Sequence, residues 1–122
     1  MDSAARPLPP WLSVSTDPAP AVIDGRAART RAAFFEEAAR AMRLPGYFGR
    51  NWDALTDSLR DAGKVSLVVE HAEELLSAEP ADQLATLLAI LADAAGTGLT
   101  LTLCTDPDHQ ALLRRRTAAA LP

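Results

Sequence analysis

Residues 51–70, NWDALTDSLRDAGKVSLVVE, place a helix directly before a short buried strand, and this order decides the fold. Asn51 is a favourable N-cap and Gly63 is a common helix terminator, so the segment between them is predicted to be helical. The segment VSLVVE that follows, residues 65–70, is short, apolar and rich in β-branched side chains. This composition is typical of a buried strand in a parallel sheet.

Two further strands and additional helices flank this unit. Short apolar runs at 21–24 (AVID) and 99–104 (LTLTLC) predict the strands. Apolar residues at helical spacing predict a helix after Thr30 and a longer one at 81–95, and HAEELLSAE at 71–79 predicts a short helix. Strands joined through helices run parallel, because tight hairpins are needed to join antiparallel neighbours. We therefore expect an α/β domain with a three-stranded parallel sheet and about four helices.

The two ends of the chain differ from this central domain. Residues 1–20 contain five prolines, which are incompatible with a helix or a central strand. These residues are predicted to form an extended arm that could include a short strand at 11–16, and the sequence leaves open whether the arm packs on the domain. Residues 107–122, with a basic cluster at 114–116, are predicted to form a C-terminal helical extension. The domain itself is therefore assigned to residues 21–106.

The overall composition disfavours several classes of function. The 122 residues include 12 basic and 16 acidic ones, and the net charge of -4 has the wrong sign for binding a phosphate backbone. The single cysteine, Cys104, allows neither an internal disulfide nor a thiolate metal cluster, and it is expected to be a small core residue. The N-terminal residues lack the pattern of a signal peptide, and no apolar run approaches the roughly 20 residues of a membrane span. We expect a soluble cytoplasmic protein with no cofactor and with neither nucleic acid nor membrane as a partner.

The helix after Asn51 has two contrasting faces. Its apolar stripe consists of Trp52, Leu55, Leu59 and Ala62. On the opposite, charged face, Asp53 and Asp57 are four residues apart, which places their Cβ atoms about 6 Å from each other. Acids near a helix N-terminus also stabilise the helix dipole, so a purely structural role stays open. An exposed pair is a poor acid–base dyad, because burial is what would raise the pKa of one carboxylate above that of the other.

The loop before this helix contains two consecutive aromatic residues, Tyr47 and Phe48, between Gly46 and Gly49. Two neighbouring rings in a tight loop do not easily both point into the core, so one ring is expected beside the acids. An exposed ring next to carboxylates is typical of a protein-binding hot spot, in which the ring excludes water from the charge pairs. The alternative is that both rings belong to the core.

A longer pattern surrounds this loop and helix. The run LPGYFGRNWDAL at 44–55, followed by Asp57 and Leu59, resembles the signature of the barstar family, intracellular inhibitors of the ribonuclease barnase. The resemblance extends upstream to 22–25 and, with one small gap, downstream to Leu103. It implies a barstar-like fold and a non-enzymatic protein whose loop and helix plug the active site of a nuclease.

The resemblance also implies roles for individual residues. Tyr47 matches an interfacial ring, Asn51 a polar contact at the helix start, and Asp53 and Asp57 two acids, of which Asp57 occupies the phosphate-binding pocket. Asp93 falls where the family has a contacting acid. The expected partner-binding residues are Tyr47, Phe48, Gly49, Asn51, Asp53, Ala54, Thr56, Asp57 and Asp93. The implied partner is an extracellular-type microbial ribonuclease, guanyl-specific, bound by a monomer in a 1:1 complex.

Two positions depart from the family pattern. Thr56 stands where barstar has a tryptophan, and Arg50 stands where it has an acid. The first removes an aromatic contact and the second weakens the negative field, so partner preference is expected to differ. One alternative is therefore a barstar-like module that binds a protein other than a nuclease.

The second alternative is a small hydrolase or metal enzyme built on Asp53, Asp57 and His71. It would need a pocket, whereas the sequence offers an exposed helix face. The two histidines lie beside acids, at 70–71 and 108–109, but neither pair has the spacing or the third ligand of a zinc site. The sequence therefore predicts neither a metal site nor a catalytic residue.

Overall fold

The computed structural model describes residues 7–16 and 19–122. The strands and helices, in chain order, are β1 (Ala21–Asp24), α1 (Arg31–Ala41), α2 (Trp52–Ala62), β2 (Ser66–Glu70), α3 (Ala81–Ala95), β3 (Thr100–Leu103) and α4 (Gln110–Ala120). Two short 3-10 helices, Gly25–Ala27 and Ala72–Glu74, follow the first two strands. Within the described part of the chain, no helix has both the length and the apolar character that crossing a membrane requires.

The three strands form one parallel sheet in the order β1-β2-β3. Ile23 of β1 is opposite Val69 of the central strand, and Val69 is opposite Leu103 of β3. Along β2, Leu67 and Val69 are buried while the alternate residues Ser66 and Val68 are half-buried, so one face of the sheet is covered more completely than the other. The prediction of an α/β domain with a three-stranded parallel sheet is confirmed, and the four α-helices include the C-terminal helix predicted within 107–122.

The core joins the sheet to the helices in one continuous cluster. Phe34 and Phe35 of α1 are both about 1% exposed and belong to the same buried cluster as Ile23 and Val69 of the sheet. The leucines of α2 and α3 complete this cluster, namely Leu55, Leu59, Leu84, Leu87, Leu88 and Leu91. Ala62, which was expected to extend the apolar stripe of α2, is exposed as the last residue of that helix.

The segment between β2 and α3 differs from its prediction. The short helix expected at 71–79 is only the 3-10 helix Ala72–Glu74, and His71 and Leu76 have positive φ angles of 48° and 54°. The backbone instead bonds to the segment after β1, since Leu76 N donates to Ala28 O at 2.9 Å. Burial of both Leu75 and Leu76 against the core replaces the helix, because tertiary contacts override local propensity.

Two further expectations are corrected by the structure. In the described part of the arm, residues 11–16 form no strand, and Trp11 and Val14 are each 83% exposed. Residues 1–6 and 17–18 of the predicted arm lie outside the described residues. Cys104 is exposed and does not belong to the core, because it follows β3, an edge strand whose alternate residues Thr100 and Thr102 are also exposed.

Candidate functional site

The loop between α1 and α2 separates the two neighbouring aromatic rings. A turn closes where Phe48 N donates to Pro45 O at 2.9 Å. The Phe48 side chain is 5% exposed and meets the Phe35 ring edge-on, with 6.2 Å between ring centroids. Tyr47 is 89% exposed. One ring is therefore exposed and the other buried, so the alternative with both rings in the core is wrong, and a place for the Tyr47 ring beside the acids stays a prediction.

Arg50 fixes the shape of this loop. Its backbone has a φ of 51°, in the left-handed region that non-glycine residues seldom adopt. Its side chain donates from Nη1 to Phe48 O at 2.9 Å and forms an ion pair with Glu36 of α1, and its guanidinium lies 6.0 Å from the centroid of the Phe48 ring. Glu36 thus balances the charge of Arg50 locally, so Arg50 reduces the negative electrostatic potential of this face less than the sequence alone indicates.

Asn51 joins the loop to α2 through both ends of its side-chain amide. Its Oδ1 accepts from Ala54 N at 2.8 Å, as expected for an N-cap, and its Nδ2 donates to Gly49 O at 3.2 Å. A Cβ atom on Gly49 would lie 3.2 Å from that Nδ2 and 3.3 Å from the Cβ of Ala54. Gly49, Asn51 and Ala54 therefore hold the loop and the first turn of the helix in one fixed arrangement.

The underside of α2 rests on aromatic rings of α1. The centroid of the Trp52 ring lies 4.8 Å from that of Phe35 and 5.8 Å from that of Phe34. The indole Nε1 of Trp52 donates to Gln83 Oε1 of α3 at 3.2 Å. The helix is thereby held between α1 and α3, and its charged face is presented on a rigid element.

The two acids of α2 lie on that outer face. Asp53 and Asp57 are exposed, and the Asp57 side chain keeps 77% of its surface accessible although its Oδ1 lies 4.0 Å from Nη1 of Arg60. An ion pair this exposed contributes little to stability. Carboxylates in this setting are suited to contact a cationic partner, and they lack the burial that acid–base chemistry needs.

The remaining predicted residues meet at the groove between α2 and α3. Thr56 and Asp93 line a cavity of about 150 Å³ together with Arg60 and the apolar side chains of Leu59 and Ile90. Thr56 also donates from its hydroxyl to Trp52 O at 3.0 Å. The structure therefore places Asp93 on the same side of the molecule as the α2 face, and all the other predicted interface residues lie on the loop and α2 themselves.

The rival catalytic set is not assembled. Among the described residues, Asp53, Asp57 and His71 do not come together as a group of potential metal ligands. His71 is exposed in the left-handed conformation directly after β2, while both acids lie on α2.

A different polar cluster, not indicated by the sequence, lies beyond the carboxyl ends of β2 and β3. His109 Nδ1 is 2.8 and 2.9 Å from the two carboxylate oxygens of Asp106, and Glu73 Oε1 accepts from Thr105 Oγ1 at 2.7 Å. The hydrogen bond to Asp106 raises the pKa of His109, and the hydrogen bond from Thr105 lowers the pKa of Glu73. The spacing of three residues between Asp106 and His109 in the sequence is a signal from which their contact could have been predicted. The nearness of Glu73 to this pair depends on the pairing of β2 with β3.

No single curated protein matches this chain, whereas a protein-family model matches most of it. A family model described as Barstar (barnase inhibitor) matches residues 19–105, which include the whole sheet, the loop and helices α1 to α3. The match covers well over half of the chain, and the protein therefore belongs to the barstar family.

Proposed function

We propose that this protein inhibits a barnase-type microbial ribonuclease by placing the loop at 46–50 and the exposed face of α2 in the enzyme's active site. The observation that carries the proposal is the exposed Tyr47 ring directly before a rigidly held helix that presents Asp53 and Asp57 to solvent. Membership of a family described as barnase inhibitors supports the same partner class.

The physical argument begins with the enzyme's substrate. A ribonuclease must hold a phosphate group with cationic side chains, so its active site is a concave, positive pocket. A carboxylate on a helix can take the place of that phosphate. The capped helix and the aromatic layer beneath Trp52 keep Asp57 in place before binding, which reduces the entropy lost on association.

Each predicted interface residue has a role in this proposal. Asp57 enters the phosphate pocket, Asp53 adds to the attraction of the cationic site, and Tyr47 covers the charge pairs against water. Asn51, Gly49 and Ala54 act by fixing the loop, and Phe48 anchors it to the core. Asp93 and Thr56 form a second contact at the cavity between α2 and α3, where a threonine leaves room for a partner side chain.

Several finer features belong to the same proposal. We infer a non-enzymatic monomer that forms a 1:1 complex in the cytoplasm with a guanyl-specific ribonuclease. The arm at 1–20 and the extension at 107–122 flank a functional domain at 21–106, and helix α4 and almost the whole arm lie outside the family match. No catalytic residue is assigned to this chain.

The proposal is tested by inhibition titrations of purified barnase with this protein. The wild-type chain is expected to inhibit RNA cleavage stoichiometrically. Asp57→Asn is expected to weaken binding by about 30-fold or more, since losing one member of a desolvated interfacial charge pair costs about 2–5 kcal/mol. Asp61→Asn is the matched control, because Asp61 is also an exposed acid on α2 but lies one turn further from the loop.

The outcomes separate the competing functions. If Asp57→Asn inhibits as well as the wild type, and circular dichroism shows that both proteins are folded, α2 is not the inhibitory surface. If the wild-type chain inhibits neither barnase nor any other guanyl-specific ribonuclease, the remaining hypothesis is a barstar-like module that binds a protein other than a nuclease. Affinity capture from the native lysate would then identify that protein.

A further inference from the structure

The cluster of Glu73, Asp106 and His109 occupies the edge of the sheet at which parallel α/β domains bind ligands. Glu73 lies in the 3-10 helix that follows β2, and the other two residues lie in the loop between β3 and α4. Because β2 and β3 are parallel neighbours, their carboxyl ends meet at one edge, and crevices beyond such ends are the usual ligand sites of open α/β sheets. A hydrogen bond of 2.9 Å from Ala72 N to Cys104 O holds the two segments side by side.

The donor atoms of the cluster suit a transition-metal ion. One imidazole nitrogen and one oxygen from each carboxylate all lie within 4.8 Å of one another. A Zn²⁺ ion holds nitrogen and oxygen ligands at about 2.0–2.2 Å, so small rotations of these side chains bring all three onto one ion. A mixed set of imidazole and carboxylates favours zinc and its neighbours over Ca²⁺ or Mg²⁺, which prefer oxygen alone.

A cavity beside the cluster leaves room for a bound ion and its water ligands. Glu73 and His109 line a cavity of about 600 Å³ together with Glu74. The Oε2 atom of Glu74 is buried and, among the described residues, has no hydrogen-bond partner. Glu74 pairs with Arg29 through its other carboxylate oxygen, so the ligands for an ion at this cavity come from Glu73, Asp106 and His109.

Two arginines at the same cavity are each paired with an acid. Arg26 is held by Asp24, with hydrogen bonds of 3.2 and 3.0 Å to its carboxylate oxygens. Arg29 donates to Ser77 Oγ at 3.3 Å, and its Nε stands 3.9 Å from the other carboxylate oxygen of Glu74. Both guanidinium groups thus have partners that hold them in place.

We propose that Glu73, Asp106 and His109 form a binding site for a divalent transition-metal ion of the Zn²⁺ class, with water completing the coordination. The bound ion ties the start of α4 to the segment after β2. The site uses none of the loop or α2 residues assigned to nuclease binding. The expectation of no metal site was based on the neighbours of each histidine in the sequence, and it did not include Glu73, which lies in the segment after the neighbouring strand β2.

Isothermal titration of the metal-free full chain with ZnCl₂ tests this site. The wild-type chain is expected to bind one Zn²⁺, and His109→Ala and Asp106→Asn are each expected to weaken binding at least about tenfold, because each removes a ligand from the metal. Zn²⁺ is also expected to raise the melting temperature of the wild type and to leave that of His109→Ala unchanged, since only a ligand that binds the folded state stabilises it.

Three control variants locate the site. Asp108→Asn, His71→Ala and Cys104→Ser remove an adjacent acid, the other histidine and the exposed thiol, and all are expected to bind Zn²⁺ like the wild type. No saturable binding to the wild type, unchanged binding by His109→Ala, or loss of binding by any control variant would each overturn the proposal. Barnase inhibition measured on the same variants keeps this result separate from that of the proposed function.

Discussion

Trp52 supports the functional helix from below, so its replacement by alanine is expected to lower the free energy of unfolding by about 3 kcal/mol. The ring is partly buried and lies against Phe34 and Phe35. Burial of about two thirds or more of a side chain of roughly 200 Å² contributes about 3 kcal/mol or more at ~25 cal/mol per Å². The lost hydrogen bond to Gln83 adds about 1 kcal/mol, and relaxation around the partly exposed site offsets part of the total.

Urea denaturation followed by far-UV circular dichroism measures this change. Trp52→Phe is the matched variant, because it keeps an aromatic ring against Phe35 and loses the indole nitrogen that donates to Gln83. It is expected to cost about 1 kcal/mol. A change below about 1 kcal/mol for Trp52→Ala, or equal costs for the two variants, would refute the view that the aromatic layer holds α2 in place.

Four further outcomes are expected. Gly25→Ala destabilises the fold severely, because a Cβ atom there would lie 2.9 Å from Glu70 O and closer still to the His71 carbonyl. Gly46→Ala is tolerated, because a Cβ atom at this position meets nothing within 4 Å, and thermal melts compare the two variants. In metal-free protein, the hydrogen bond to Asp106 raises the pKa of His109, so this pair contributes its full stability below the unfolded histidine pKa of about 6.5. The contribution is lost as the pH rises through the higher pKa of the folded state, and NMR titration of the His109 ring in the wild type and in Asp106→Asn measures the shift. The rate of association with the ribonuclease falls as the salt concentration increases, because attraction between exposed charges is screened beyond about 10 Å at 0.1 M ionic strength. A rate that does not depend on salt in stopped-flow measurements would indicate an apolar interface. Deletion of residues 1–18 leaves inhibition unchanged in the same titrations, and weaker binding by a folded truncated chain would assign the arm to the interface.

The sequence by itself determined the parallel α/β fold and the face of α2 that meets solvent. These features follow from local rules: Asn51 and Gly63 bound the helix, apolar residues recur at helical spacing on one side, and β-branched runs form short strands. The outward position of Tyr47 also followed from local reasoning, since two adjacent rings in a tight loop cannot both be buried easily. Each of these signals acts within a few residues of chain, so periodicity and capping chemistry suffice to reveal it.

Only the tertiary structure decided which distant residues meet. The segment at 71–79 becomes an irregular connection because its backbone bonds to residues after β1, and no local pattern in its sequence shows that partner. Arg50 is neutralised by Glu36, which lies on a different helix. Glu73 reaches Asp106 and His109 because β2 and β3 pair in parallel and bring their carboxyl ends together. Strand order and register, which depend on packing of the whole core, fix these long-range contacts, and local sequence preferences carry no information about them.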